Sequence, residues 1–87
     1  MHAVVVNVTI SDLGADEAVL REQVVPRVSA APGFVAGYWT RKDNSGLSML
    51  VWESEDAANA ASEMVRSAPP EGVTVDSVEV REVVASA

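Results

Sequence analysis

The first stretch of the chain, from His2 to Ile10, alternates in a way that predicts a β-strand. Successive side chains of a strand point to opposite faces, so every second residue shares a face. The aliphatic face carries Val4, Val6, Val8 and Ile10, and the mixed face carries Ala3, Val5, Asn7 and Thr9. This pattern predicts an inner strand whose mixed face is covered by a partner or lines a cavity.

Two more apolar runs, Phe34–Thr40 and Leu47–Glu53, flank the polar segment 41–46, which ends in glycine. This arrangement predicts a β-hairpin. All the aromatic residues of the chain lie in it, namely Phe34, Tyr38, Trp39 and Trp52. Simple alternation places Phe34, Ala36, Tyr38 and Thr40 on one face, and Val35, Gly37 and Trp39 on the other. A glycine inside a strand indicates a bulge or the close approach of another group, and Gly37 occupies that position.

A first helix is predicted to begin near Ala15, with Leu20, Val24, Val28 and Ala31 as its buried stripe. Glu17 and Arg21 stand four residues apart in the order that favours an ion pair. Pro26 has no N–H to donate, and its ring clashes with the carbonyl four residues earlier. We therefore expect a kink or a restarted helix at Pro26, and the helix ends at Pro32-Gly33.

A second helix is predicted to begin after the N-cap residue Ser54 and to end at Pro69-Pro70. Its apolar stripe consists of Ala57, Ala61, Met64 and Ala68. The last strand is predicted from Val73 to Val84. Its apolar parity changes along the way, which predicts a bulge near Asp76-Ser77. The strand is long for a small sheet, which suggests that its end reaches a neighbouring molecule.

Composition narrows the class of protein. The 87 residues are enough for a single domain, 1–87. The chain has no cysteine and a net charge of −7, which argues against disulfides, thiolate metal sites and nucleic-acid binding. No apolar stretch approaches the roughly 20 residues of a membrane span. We therefore expect a soluble cytoplasmic protein that binds neither nucleic acid nor membrane.

The order strand, helix, strand, strand, helix, strand predicts an α+β fold of the ferredoxin-like βαββαβ type. In this fold a four-stranded antiparallel sheet carries two helices on one face. The other face would expose Val5, Asn7 and their neighbours, which is too apolar for an isolated monomer. A symmetric homodimer that stacks these faces, a dimeric α/β barrel, would cover it.

Two motifs carry a resemblance to a known family. Pro32-Gly33-Phe34-Val35 with Gly37-Tyr38-Trp39 opens the second strand, and Val51-Trp52-Glu53-Ser54-Glu55 leads into an alanine-rich helix. Over nearly its whole length the chain resembles the dimeric α/β-barrel proteins, particularly those related to antibiotic biosynthesis monooxygenases. The resemblance implies this fold and a homodimer. The family includes oxygenases without metal or flavin, haem-degrading enzymes, and many small proteins with no assigned activity.

The haem-degrading branch of this family matches the sequence poorly at its functional residues. Its asparagine on the first strand resembles Asn7, but alignment through Gly33-Phe34 shifts Asn7 by one residue and so to the opposite face. The Trp and His that this branch carries around the second helix have no counterpart in the segment 57–71. Haem degradation is therefore not expected.

The oxygenase resemblance suggests a site in an apolar cleft between sheet and helices. In this interpretation Asn7 and Tyr38 are the catalytic candidates, which hydrogen-bond an enolic or phenolic substrate, and Trp39 and Trp52 bind its rings. The structural alternative is that these aromatic residues fill the core and the interface. No cofactor and no metal is expected, because the single histidine, His2, and the absence of cysteine leave no transition-metal ligand set.

Other positions are explained more simply. Arg41 and Lys42 belong to a polar turn. Gly14, at the first strand-to-helix turn, matches a glycine of ACT regulatory domains, but Asp12 and Asp16 nearby oppose an anionic ligand. Two functions therefore stand after the sequence. One is a cofactor-free monooxygenase of an aromatic or quinol-like metabolite; the other is a small-molecule-binding or assembly protein of the same fold without catalysis.

Overall fold

The structure of the chain is a computed structural model that describes residues 1–11, 17–67 and 72–87. Its strands are β1 (His2–Ile10), β2 (Phe34–Lys42), β3 (Ser45–Trp52) and β4 (Val73–Glu82). A π-helix, Leu20–Val24, runs into helix α1 (Val25–Ser29), and helix α2 is Glu55–Ser67. The predicted first helix start near Ala15, the glycine Gly14, and the end of the second helix at Ala68 and Pro69-Pro70 lie outside the described residues.

The strands form one antiparallel sheet in the order β2-β3-β1-β4, and this is the ferredoxin-like arrangement that the sequence predicts. Helix α1 packs against β2, and α2 packs against β1, β3 and β4. The helices share one face of the sheet, which we call the helix face; the opposite side is the open face. Among the described residues, no helix is long and apolar enough to cross a membrane.

The core lies between the sheet and α2. Its buried residues are Val4, Val6, Leu50, Trp52, Ala58 and Ala61. Val4 is fully buried, and burial of a side chain of this size contributes about 1.5–3 kcal/mol. The aliphatic face of β1 thus became the helix face, because it is the only face of that strand without polar residues. Small alanines on α2 allow the helix to approach the sheet closely.

A β-bulge interrupts the pairing of β1 with β4, as the sequence predicts. Asn7 pairs with Ser77 and Val8 with Val75, so Asp76 is the extra residue. The Thr9 hydroxyl donates a hydrogen bond to the Asp76 carboxylate at 2.8 Å. The bulge keeps the valines on both sides of it on the helix face.

A second register shift, in β2, was not predicted. Phe34 pairs with Trp52 and Ala36 with Val51, so Val35 is bulged. The simple alternation that placed Phe34 with Ala36 and Tyr38 is therefore wrong. Phe34 lies on the helix face, where its ring meets that of Trp52 edge to face at a centroid distance of 5.4 Å.

The hairpin between β2 and β3 is tighter than predicted. The strands extend to Lys42 and from Ser45, and only Asp43 and Asn44 form the turn. Asp43 has φ 55°, a left-handed conformation that Asp and Asn tolerate better than most residues. The Asn44 carbonyl accepts a hydrogen bond from the Ile10 N–H at 2.8 Å, which ties the turn to the end of β1.

The helix continues through Pro26 without a restart, and a π-turn stands immediately before it. Before it, the Val25 N–H donates to the Leu20 carbonyl, the i→i−5 bond of a π-turn. Pro26 then occupies the first turn of α1, where a missing N–H is tolerated. The predicted Glu17–Arg21 ion pair is present at 2.8 Å. The expected stripe on this segment is half-buried rather than buried, because part of it faces a cavity.

The buried stripe of α2 differs from the predicted one. Ala58, Ala61 and Ser62 are buried, whereas Met64 is 44% exposed. Ser62 lies outside the predicted apolar stripe, and its buried hydroxyl donates a hydrogen bond to the Asn59 carbonyl at 2.8 Å. A helix so rich in alanine carries little information about which of its faces is apolar, and tertiary packing decided it.

Candidate functional site: a cavity between sheet and helices

A partly open cavity of about 450 Å³ lies between the helix face of the sheet and the π-helix with α1. This volume is in the range of small-molecule sites. Most of the wall is aliphatic. The strands contribute Val6, Val8, Ile10, Leu50, Val73 and Val75, and the helices contribute Val19, Leu20, Val24, Val28, Met64 and Val65. Thr40 and Gly46 complete the wall on the hairpin side.

Trp39 and Ser48 contribute the distinctive side chains of the sheet wall. They are cross-strand partners on β2 and β3, so the indole and the hydroxyl are neighbours on the helix face. Gly37 stands two residues before Trp39, and the indole packs against its backbone. The Ser48 hydroxyl makes no hydrogen bond with any described residue and is therefore available to a ligand.

Gln23 and Arg27 contribute the polar groups of the helical wall. They stand four residues apart, one on the π-helix and one on α1, and so lie on the same side of the helical segment. Arg27 is the one ionisable residue among the described residues that line the cavity. The site is thus an apolar chamber with a tryptophan, a hydroxyl, an amide and a guanidinium at its surface.

The structure does not bring the four predicted site residues together. Trp39 lines the cavity, whereas Asn7 and Tyr38 lie on the open face. Asn7 donates a hydrogen bond to the Ser77 hydroxyl at 3.1 Å, and Tyr38 is 68% exposed. The expectation that all four surround one cleft is wrong, because β1 and β2 turn Asn7 and Tyr38 away from the helices.

Trp52 is a core residue in this structure. It is 2% exposed and belongs to the cluster beneath α2 rather than to the wall of the cavity. Its indole N–H has no hydrogen-bond partner among the described residues. Its position follows from the strand: Trp52 shares the helix face with Leu50, next to the start of α2.

Sequence reasoning missed Ser48, Gln23 and Arg27. A signal for the last two was present in the helical spacing. Leu20, Gln23, Val24, Arg27 and Val28 follow the pattern i, i+3, i+4, i+7, i+8, which defines one face of a helix. Two polar residues on a face that is otherwise apolar indicate a wet surface rather than a packed one. Ser48 has the same strand parity as Leu50 and Trp52, and this parity places it on the helix face.

His2 lies away from the cavity. Its Nε2 is 3.6 Å from a carboxylate oxygen of Glu55, at the first turn of α2. Its side chain is 22% exposed, so it is more buried than the terminal position suggests. Within the described ranges, no three His, Asp or Glu side chains cluster as a metal-binding group.

The open face carries a patch of exposed apolar side chains. Tyr38 pairs with Met49 across β2 and β3, and Thr40 pairs with Leu47. Tyr38, Leu47 and Met49 are each at least 45% exposed. The other side of this face is polar, where the Arg81 Nε donates to the Glu79 carboxylate at 2.9 Å. Exposed apolar patches are typical of the surfaces through which proteins associate.

Comparison with solved structures gives the class of fold. The chain is similar to MupZ from Pseudomonas fluorescens, with a TM-score of 0.72 and 15% identity over 91% of this chain. It spans 65% of MupZ, slightly less than two thirds of that protein. It is also similar to SnoaB from Streptomyces nogalater, a cofactor-independent oxygenase, with a TM-score of 0.69 and 18% identity, over 98% of this chain and 94% of SnoaB. A mutant of SnoaB matches with a TM-score of 0.66 and 17% identity, over 98% of this chain and 95% of the other.

At these identities the similarity establishes the fold alone. The chain has the ferredoxin-like fold found in SnoaB, and the fold that the sequence resemblance implies is thereby confirmed. No protein-family profile matches the sequence. No curated protein matches it either.

Proposed function

We propose that the chain binds a flat aromatic or quinol-like metabolite in the cavity beside Trp39 and oxygenates it without metal or flavin. The observation that carries the proposal is the apolar cavity of about 450 Å³ with an indole in its wall. An indole offers a large, flat and rigid surface on which a ring system can stack. The shared fold with SnoaB, described as a cofactor-independent oxygenase, supports the choice of reaction.

The chemistry can proceed largely within the substrate. An anthrone loses a proton from its CH₂ group to water at the open side of the cavity, and the resulting carbanion adds to molecular oxygen. The peroxide takes up a proton and loses water, which leaves a ketone: one oxygen atom enters the product and the other leaves as water. The chain would orient the rings against Trp39 and exclude bulk water with its aliphatic wall, while Ser48 and Gln23 hydrogen-bond the substrate oxygens.

A second candidate is binding without catalysis. It is favoured by the absence of His, Asp, Glu, Tyr and Lys from the described residues that line the cavity, which leaves no side chain suited to act as a general base. In this case the same cavity holds the same class of ligand, and no oxygen is consumed.

The proposal includes a homodimer of single-domain chains in the cytoplasm. Pairing through the open face would cover Tyr38, Leu47 and Met49, the exposed apolar residues of that face. The proposal thereby assigns Tyr38 and Asn7 to the subunit interface and not to catalysis.

Oxygen uptake with a panel of anthrones and quinols tests the proposal. We expect enzyme-dependent uptake that falls at least about tenfold in Trp39→Ala, which removes the stacking surface. Ser48→Ala should slow turnover, whereas Asn7→Ala should leave it unchanged. Ligand binding without uptake above buffer would select the second candidate. Loss of uptake in Asn7→Ala with normal uptake in Trp39→Ala would move the site to the open face.

A further inference from the structure

Arg27 differs from every other arginine of the chain in its surroundings. Each of the others lies near a carboxylate: Arg21 and Arg41 near Glu17, Arg66 near Glu63, and Arg81 near Glu79. Arg27 has no ion pair and no hydrogen bond with a described side chain. Thirteen acidic residues outnumber six basic ones in this protein, so an arginine without a carboxylate partner is unexpected.

Arg27, which lacks an ion pair with a described residue, lies in the wall of the apolar cavity. It lines the cavity together with Leu20, Gln23, Val24 and Val28, and no described acidic residue lines that cavity. Arg27 is exposed to solvent while it lines the cavity, so its guanidinium can meet the anionic group of a ligand that enters from water. Its planar array of donors matches the two oxygens of a carboxylate.

We infer that the cavity selects a planar apolar ligand that carries a carboxylate, with the rings against Trp39 and the anionic group at Arg27. Gln23, four residues earlier on the same side of the helix, is placed to donate a second hydrogen bond to the same anion. This inference rests on the proposed function of the cavity as a small-molecule site, and it adds the chemical class of the ligand. The acidity of the whole chain repels anions from its surface, so the attraction must be local to Arg27.

The helix that carries Arg27 is irregular just before this residue. Arg27 follows Pro26 directly, in the first turn of α1, after the π-turn that ends at Val24. A π-turn inserts one extra residue and rotates the following residues about the helix axis. The π-turn thus lies directly before the residues of α1 that line the cavity, Arg27 and Val28.

Binding of a matched pair of probes tests the inference without any need for turnover. Anthracenecarboxylate and anthracenecarboxamide share their rings and differ in charge, and their binding is followed by quenching of tryptophan fluorescence. We expect the wild-type chain to bind the carboxylate about five- to tenfold more tightly than the carboxamide. Arg27→Gln should abolish this preference by weakening binding of the carboxylate, with a much smaller effect on the carboxamide, whose retained binding reports that the cavity is intact. Arg27→Lys should retain part of the preference.

Arg21→Gln is the matched control, because it removes the same charge from the same helical segment. Its side chain is 77% exposed and paired with Glu17, away from the cavity. It should keep the full preference for the carboxylate. Equal affinity of the two probes, no binding of either probe, or an equal effect of Arg21→Gln and Arg27→Gln would overturn the inference. If a neutral anthrone supports oxygen uptake but the carboxylate probe is not preferred, only the inference of carboxylate selectivity is overturned. If the carboxylate probe is preferred but no substrate supports oxygen uptake, only the proposed oxygenase activity is overturned.

Discussion

The indole of Trp39 packs directly against the backbone of Gly37: a β-carbon on Gly37 would stand 3.0 Å from Cη2 of that ring. The same β-carbon would stand 3.1 Å from Cδ2 of Leu50. Glycine is therefore required for the ring to lie flat along the sheet. The position of Trp39 in the cavity wall thus depends on the absence of a side chain at Gly37.

Gly37→Ala should displace the Trp39 indole and lower the free energy of unfolding by about 1–3 kcal/mol, the usual cost of overpacking. Denaturant unfolding measures the loss of stability, and anthracenecarboxylate binding should weaken in parallel. In a Trp39→Ala background the same substitution should cost clearly less, because the clashing ring is gone. If Gly37→Ala lowered the free energy of unfolding equally in the wild type and in Trp39→Ala, the contact between Gly37 and Trp39 would be contradicted.

Gly33 adopts a backbone conformation that other residues avoid. Its φ is 84°, and a β-carbon there would stand 3.0 Å from Cβ of Ala57. Gly33→Ala should destabilise the chain by about 1–2 kcal/mol through the backbone alone, with a further cost from the contact with α2. Chemical denaturation measures the sum. Gly33→Asn should lose less stability from the backbone conformation, since Asn tolerates positive φ. An Ala variant as stable as wild type would refute this explanation.

Ser54 caps helix α2, because its hydroxyl accepts a hydrogen bond from the Ala57 N–H at 3.2 Å. Ser54→Ala should therefore lower the free energy of unfolding by about 1 kcal/mol, and Ser54→Asp should retain most of it. Thermal or denaturant unfolding provides the measurement. Ser67→Ala is the control at the other end of α2. Its hydroxyl donates only to the Met64 carbonyl, and its loss should cost less than about 0.5 kcal/mol.

Met49 and Met64 are similarly exposed methionines on opposite sides of the sheet, and so they provide a matched pair of variants for testing the dimer interface. Met49 lies on the open face and is 47% exposed, and Met64 lies on α2 and is 44% exposed. Met49→Glu should place a charge in the proposed dimer interface and shift the protein to monomer, whereas Met64→Glu should leave the dimer intact. Sedimentation velocity at matched concentration distinguishes the two results. A wild-type monomer, or equal effects of both substitutions, would exclude this interface.

The parts of the fold that depend on local signals were predictable. Val73 and Val75 lie out of phase with Val78 and Val80, and this predicted the bulge at Asp76. Pro26 predicted an irregular helix because its missing N–H acts within one turn, and the structure has a π-turn directly before it. The bulge at Val35 left no such signal, because apolar residues stand on both sides of it, and so the face of Phe34 was assigned wrongly. The apolar phase of α2 was hidden by its alanines.

The candidate site was predictable only in part. The fold predicts a cleft between the sheet and the helices, and Trp39 lies in the wall of the cavity found there. Asn7 and Tyr38 were grouped with it through their chemistry, whereas strand parity sends them to the open face. Arg27 was missed because polar residues within an amphipathic stripe are usually interpreted as its solvated edge. Its significance depends on the missing carboxylate partner, which requires three-dimensional positions.

The central claim is that oxygen enters an aromatic substrate held beside Trp39, and isotopically labelled oxygen gas tests it most directly. The purified chain is incubated with an anthrone under the labelled gas, and the product is analysed by mass spectrometry. The account predicts one labelled oxygen atom per product molecule, formed faster than in buffer, with the rate strongly reduced in Trp39→Ala and unchanged in Asn7→Ala. No product above buffer for any anthrone or quinol that binds in the cavity would contradict the account.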